Sequence, residues 1–160
     1  MIQAKIRSSK PLLYIIVTFI YFTSCVSSVY PSVKEYEYLG NMKQLISGLK
    51  DLTLKDSNII FNITDTVGTD DKTYGLYFNI RIKDNNRNIS YELKCENNNR
   101  NISTIKFIGA HDETNKTGGY KANDSEVKGL LNYFDTQFLT ELETKENIKI
   151  TPIGTRASGR

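Results

Sequence analysis

Leu76-Tyr77-Phe78-Asn79-Ile80-Arg81-Ile82-Lys83, then Asp84-Asn85-Asn86-Arg87, then Asn88-Ile89-Ser90-Tyr91-Glu92-Leu93-Lys94-Cys95 is the stretch that decides the fold. Apolar and polar residues alternate on both sides of a polar turn, the pattern of two strands folded back on each other. With the turn on Asn85-Asn86, Ile82 faces Ile89, Ile80 faces Tyr91, Phe78 faces Leu93 and Leu76 faces Cys95. Side chains alternate along a strand, so all eight point to one side. The other side pairs Arg81 with Ser90, Asn79 with Glu92 and Tyr77 with Lys94, and it can meet water. A slip of one residue would mix the faces, so the pattern selects this register. Asn is the best non-glycine residue for the positive φ that a tight hairpin turn requires.

The preceding segments read outward from this hairpin. Ile59, Phe61 and Ile63 alternate and predict a strand, and Asp65–Lys72 reads as a polar turn. Met42, Leu45, Ile46, Leu49 and Leu52 recur at helical spacing, with Asn41 as N-cap and Gly48 as a mild weakness. Such a stripe is far more often a core face than a partner site. Residues 29–40 read as a tether.

After the hairpin, Glu96–Asn101 reads as an asparagine-rich loop, Ile105-Lys106-Phe107-Ile108 as a fourth strand, and Ala110–Asn123 as a polar loop. A second helix follows, capped by Asn123 or Ser125, with Asp124 and Glu126 suited to its N-terminus. Val127, Leu130, Leu131, Phe134, Phe138 and Leu142 form its apolar face. Ile148-Lys149-Ile150 reads as a closing strand and 151–160 as a loose tail. Together these predict a single α+β domain over 41–150: a small antiparallel sheet around the hairpin, covered by two amphipathic helices.

The N-terminus has a different character. Lys5, Arg7 and Lys10 precede the apolar run Leu12–Phe22, and the small residues Thr23-Ser24-Cys25-Val26-Ser27-Ser28 follow. A basic start, an apolar centre and a small-residue end make 1–28 an export signal cut after Cys25 or Ser28. Phe22-Thr23-Ser24-Cys25 also resembles a loose bacterial lipobox, in which Cys25 is lipidated. As a third reading, the uncharged span from Pro11 to Val33 is long enough for an uncleaved membrane anchor. The three readings stay open. All of them place the body outside the cytoplasm, secreted or membrane-attached.

The 160 residues carry a formal charge of +3. Setting aside the three N-terminal bases leaves 18 basic and 18 acidic residues, so the body is near neutral. It lacks the basic footprint of a nucleic-acid binder. Cys95, on the apolar face of the hairpin, reads as a small buried hydrophobe rather than a reactive thiol.

Candidate chemistry is sparse. His111-Asp112-Glu113 brings the one histidine beside two acids, yet neighbours in sequence converge poorly on a metal. Asp70-Asp71, near Gly68, lacks calcium-loop spacing. No GxSxG, HExxH, CxxC or phosphate-binding glycine loop occurs, and the sequence implies no cofactor, metal site or catalytic set. Five N-x-S/T sequons, at Asn62, Asn88, Asn101, Asn115 and Asn123, are candidate glycosylation sites if the chain enters a secretory pathway that glycosylates. Tyr30, Tyr36 and Tyr38 precede the first helix, and Tyr77 lies on the polar hairpin face, where tyrosine suits either contact or packing. A pocket between helix and sheet would have Tyr91 and Phe134 in its lining.

The order of a helix ending Ile46-Ser47-Gly48-Leu49-Lys50, a strand, the hairpin 76–95 and Phe107-Ile108-Gly109 resembles the N-terminal half of ribosome-inactivating A chains. The resemblance implies an rRNA adenine N-glycosidase. That family carries a Gly-Tyr where this chain has Gly109-Ala110, and a second tyrosine where it has Lys106. The nearest Gly-Tyr here is Gly119-Tyr120, and no Glu-x-x-Arg follows, so the implied relative is a truncated one. The residues themselves favour an exported, non-enzymatic protein that binds an external protein or surface partner.

Overall fold

A computed structural model describes residues 31–69, 72–84, 86–99 and 101–153. The export segment 1–28 with Cys25, the pair Asp70-Asp71 and the tail beyond 153 lie outside them. No helix among the described residues is long and apolar enough to cross a membrane.

The chain runs β1 (Lys34–Tyr38), α1 (Met42–Lys55), β2 (Ile59–Thr69), β3 (Lys72–Asp84), β4 (Arg87–Asn99), β5 (Ile102–Asp112) and β6 (Thr117–Gly119). A helical stretch follows: α2 (Ser125–Tyr133), a π-helical turn (Phe134–Phe138) and α3 (Leu139–Glu146). Strand β7 (Ile150–Pro152) is the last element among the described residues. The strands form one seven-stranded antiparallel sheet in the order β2-β3-β4-β5-β1-β7, with β6 beside β5.

This corrects the expected fold. The sheet is the dominant element rather than a small platform under two helices. One helical stretch lies after it, and α1 is a crossover that carries the chain from β1 to the far edge, where β2 begins. The supposed tether contributes β1, which sits inside the sheet between β5 and β7. The supposed loops at 65–69, 96–99 and 110–112 are strand. Their Asn, Thr and Asp residues read as loop because alternation breaks down there. The structure shows why: pairing is irregular between Ile63 and Asp65, Val67 and Gly68, Glu92 and Leu93, and Asn97 and Asn99. A bulge shifts which residues face the core and erases the period of two.

Between bulges the alternation holds. Strands β3 and β4 pair in the register the hairpin pattern demands, Ile82 with Ile89, Ile80 with Tyr91, Phe78 with Leu93 and Leu76 with Cys95. All eight side chains are buried. Against them pack Leu45, Leu49 and Leu52 of α1 and Leu130, Phe134, Phe138 and Leu142 of the second helical stretch. Asn41 caps α1 reciprocally with Gln44, whereas α2 is capped by Asp124, between the two expected residues. Phe134 is the hub, its ring lying 5.0 Å from Tyr91, 5.5 Å from Phe107 and 6.0 Å from Tyr36. The π-helical turn that begins at Phe134 keeps both it and Phe138 facing inward. The space among Tyr36, Phe78, Leu93, Phe134 and Phe138 is about 10 Å³, less than a ligand needs.

Two buried tyrosines of the sheet help to anchor the helical stretch. Tyr36, fully buried, donates to Asp135 Oδ1 at 2.7 Å, and Lys34 Nζ lies 2.6 Å from Asp135 Oδ2. Burial, and then the Asp135 carboxylate, drive the Tyr36 phenol far above its usual range, so it stays a neutral donor. Tyr91 donates to the Leu130 carbonyl at 3.2 Å.

Candidate functional site

All the helices pack on one face of the sheet, so the described residues leave the other face free of helix. Its residues follow from the register. One row crosses five strands: Asp65 of β2, Tyr77 of β3, Lys94 of β4, Lys106 of β5 and Glu35 of β1. Glu96 sits beside this row and takes 2.6 Å ion pairs from both Lys94 and Lys106. These two ammonium groups, Lys106 first, hold the Glu96 carboxyl below the usual glutamate range. The ammonium of Lys94 also stands 5.1 Å from the centre of the Tyr77 ring.

Further along the same face, Tyr120, Glu92 and His111 come together. Tyr120 donates to Glu92 Oε1 at 2.9 Å, and its ring meets the His111 ring edge-on at 5.0 Å. His111 Nε2 is 3.9 Å from the same carboxylate oxygen. Glycines make this approach possible. A Cβ on Gly109 would lie 2.5 Å from the Tyr120 ring, and Gly118, at φ +114°, presses its backbone against Ala110 and His111. Beyond Tyr120 lies a hollow of about 700 Å³, lined by Pro31, Ser32, Lys121, Ala122 and Asp124 among others. The cluster was not read from the sequence. Gly118-Gly119 ahead of a tyrosine was the available signal, but β6 is too short to show alternation.

The structure separates His111, Asp112 and Glu113. His111 pairs with Ser90 on the open face, and Glu113 lies 3.6 Å from Arg81. Asp112 turns to the helix side and is buried. Burial works to raise its carboxyl. Hydrogen bonds from Asn115 and from the backbone N–H of Thr114 and Asn115 outweigh this and hold it below the usual aspartate range. Asp112 therefore organises the β5–β6 turn. No group of three or more metal-ligating side chains exists among the described residues.

Cys95 is fully buried, and burial pushes its thiol up to about 12, so it is a core residue and unreactive. Among the sequons, Asn62 is exposed on β2, Asn101 in the β4–β5 turn, Asn115 in the β5–β6 turn and Asn123 before α2. Asn88 differs. It sits half-buried in β4, and its Oδ1 is sealed from solvent without a hydrogen-bond partner among the described residues. Comparison with protein-family models, with curated proteins and with solved structures finds no match to this chain.

Proposed function

We propose that the chain is an exported, non-enzymatic protein, secreted or held at a membrane by its N-terminus, that docks an external partner on the helix-free face of its sheet. One observation carries the docking surface: Tyr77 of β3, Glu92, Lys94 and Glu96 of β4 and Lys106 of β5, with Tyr120 just past β6, put aromatic and charged side chains on a face that no described helix covers. Alternating charge and tyrosine on a rigid sheet suit recognition of a polar protein surface. The basic, apolar and small-residue succession of 1–28 supports export.

The test is location and N-terminus together. Mass spectrometry of the chain recovered from its native host is expected to show a start after Cys25 or Ser28, a lipidated Cys25, or an intact N-terminus in a membrane fraction. A cytosolic chain with an intact N-terminus overturns the proposal.

A second reading, a truncated relative of the adenine-removing toxins, draws support from Tyr120, which stands on the open face at the mouth of the 700 Å³ hollow, where a base can stack. Incubation of the chain with ribosomes and assay of free adenine tests it. Absence of adenine at high enzyme concentration ends it.

A further inference from the structure

The two ends of the sheet are built differently. Strand β7 is three residues long and carries Pro152, which has no N–H to offer a neighbour. Strand β2 runs eleven residues and, among the described residues, pairs on one side only, with β3. Ile59-Ile60-Phe61-Asn62-Ile63-Thr64-Asp65-Thr66-Val67-Gly68-Thr69 is β-branched at most positions and contains neither proline nor a basic residue. Such an edge presents unpaired backbone donors and acceptors to any extended chain that reaches it.

Side chains along this edge are also unfinished. Ile63 is 42% exposed on the helix side, and Val67 is 40% exposed on the other. On the helix side a hollow of about 360 Å³ opens between Met42, Ile46 and Ser47 of α1 and Leu76 of β3, with Lys43 and Lys50 at its rim. Lys55 of the same helix pairs with Glu146, whereas Lys43 and Lys50 have no ion-pair partner among the described residues. The open backbone of β2 thus lies one strand outside an apolar recess between α1 and β3, with Lys43 and Lys50 at the rim of that recess.

The geometry points to β2 as a strand-addition site for an extended acidic segment of another protein. The segment pairs its backbone with β2 and becomes an eighth strand. The side chains on its helix side are apolar at the centre, where they cover Ile63 and the recess, and acidic at the flanks, where they meet Lys43 and Lys50. A second copy of this chain fits less well, because two-fold pairing along β2 brings two copies of the same lysine-bearing helix flank to one seam. The inference rests on the reading of the chain as a partner-binding protein, but not on the open sheet face. It is tested on purified protein wherever the chain resides in the cell, so its failure and the failure of the export reading are distinguishable.

The probe is a labelled heptapeptide, glutamate-threonine-valine-threonine-valine-threonine-glutamate, whose four non-threonine residues share one face in either strand direction. Fluorescence anisotropy with the full chain is expected to show saturable binding, and amide hydrogen exchange to slow across 60–67 but not across β7. A peptide with lysines in place of the glutamates is expected to bind about tenfold more weakly, as is the original peptide with the Lys43→Glu/Lys50→Glu variant. The lysine peptide keeps the charge test intact if that variant folds poorly. Three results overturn the proposal: no saturable binding at millimolar peptide, indifference to both charge reversals, or binding without protection of β2. Protection of β2 without peptide, together with a mass that rises with concentration, overturns it in favour of self-pairing.

Discussion

On the helix side of β4, Tyr91, Leu93 and Cys95 are sealed from water. On the opposite side of the same strand, Glu92, Lys94 and Glu96 are partly wet and tied to one another's neighbours by ion pairs and a tyrosine hydroxyl. One backbone therefore carries two kinds of surface. The buried side gains from removing apolar area from water, at about 25 cal/mol per Å². The wet side gains little, because exposed ion pairs are screened and are typically worth under about 1 kcal/mol. Stability and recognition are thereby separated. The open face can change its charges with little effect on folding, and the helix face cannot change its volume.

The harshest test of this division is Phe134→Ala. Phe134 touches four aromatic rings and is almost wholly buried, so its loss should cost about 3–5 kcal/mol in urea unfolding. A cost near that of a surface substitution would break the comparison. Tyr36→Phe comes next. It removes the buried donor to Asp135 while Lys34 stays in place, and a loss of about 1–2 kcal/mol is expected by the same measurement.

The open face should respond less, and in a pH-dependent way. Lys106→Ala should cost about 1 kcal/mol or less at neutral pH. In the folded chain the Glu96 carboxyl titrates below its unfolded value, so its pairs contribute stability above the usual glutamate range and lose it as pH falls through the lowered folded value. The gap between Lys106→Ala and the parent chain should therefore close on acidification. A gap that widens at low pH would sink the assignment. Arg81→Ala is expected to have the smallest effect, within about 0.5 kcal/mol, because its 3.6 Å contact with Glu113 joins two exposed side chains.

The candidate site was only partly legible in advance. Tyr77, Glu92 and Lys94 were on the polar face of the hairpin by alternation alone. Tyr120 was not. It reaches Glu92 and His111 only because β6 folds back along β5 and Gly109 and Gly118 leave room for it. His111 and Asp112 are adjacent in sequence and end on opposite faces, since strand geometry sends neighbours apart.

The sequence by itself determined the β3–β4 register, the apolar faces of both helical stretches, the Asn41 cap and the inert burial of Cys95. Each depends on contacts between near neighbours in the chain or on a simple period. Only the tertiary structure decided that 34–38 is an interior strand, that β2 extends to Thr69, and that α1 crosses from one part of the sheet to its far edge. A five-residue strand such as β1 is specified by pairing with the distant β5 and β7 rather than by its own pattern. Bulges hide the period of the long strands, because backbone pairing across the sheet, not side-chain alternation, holds their ends.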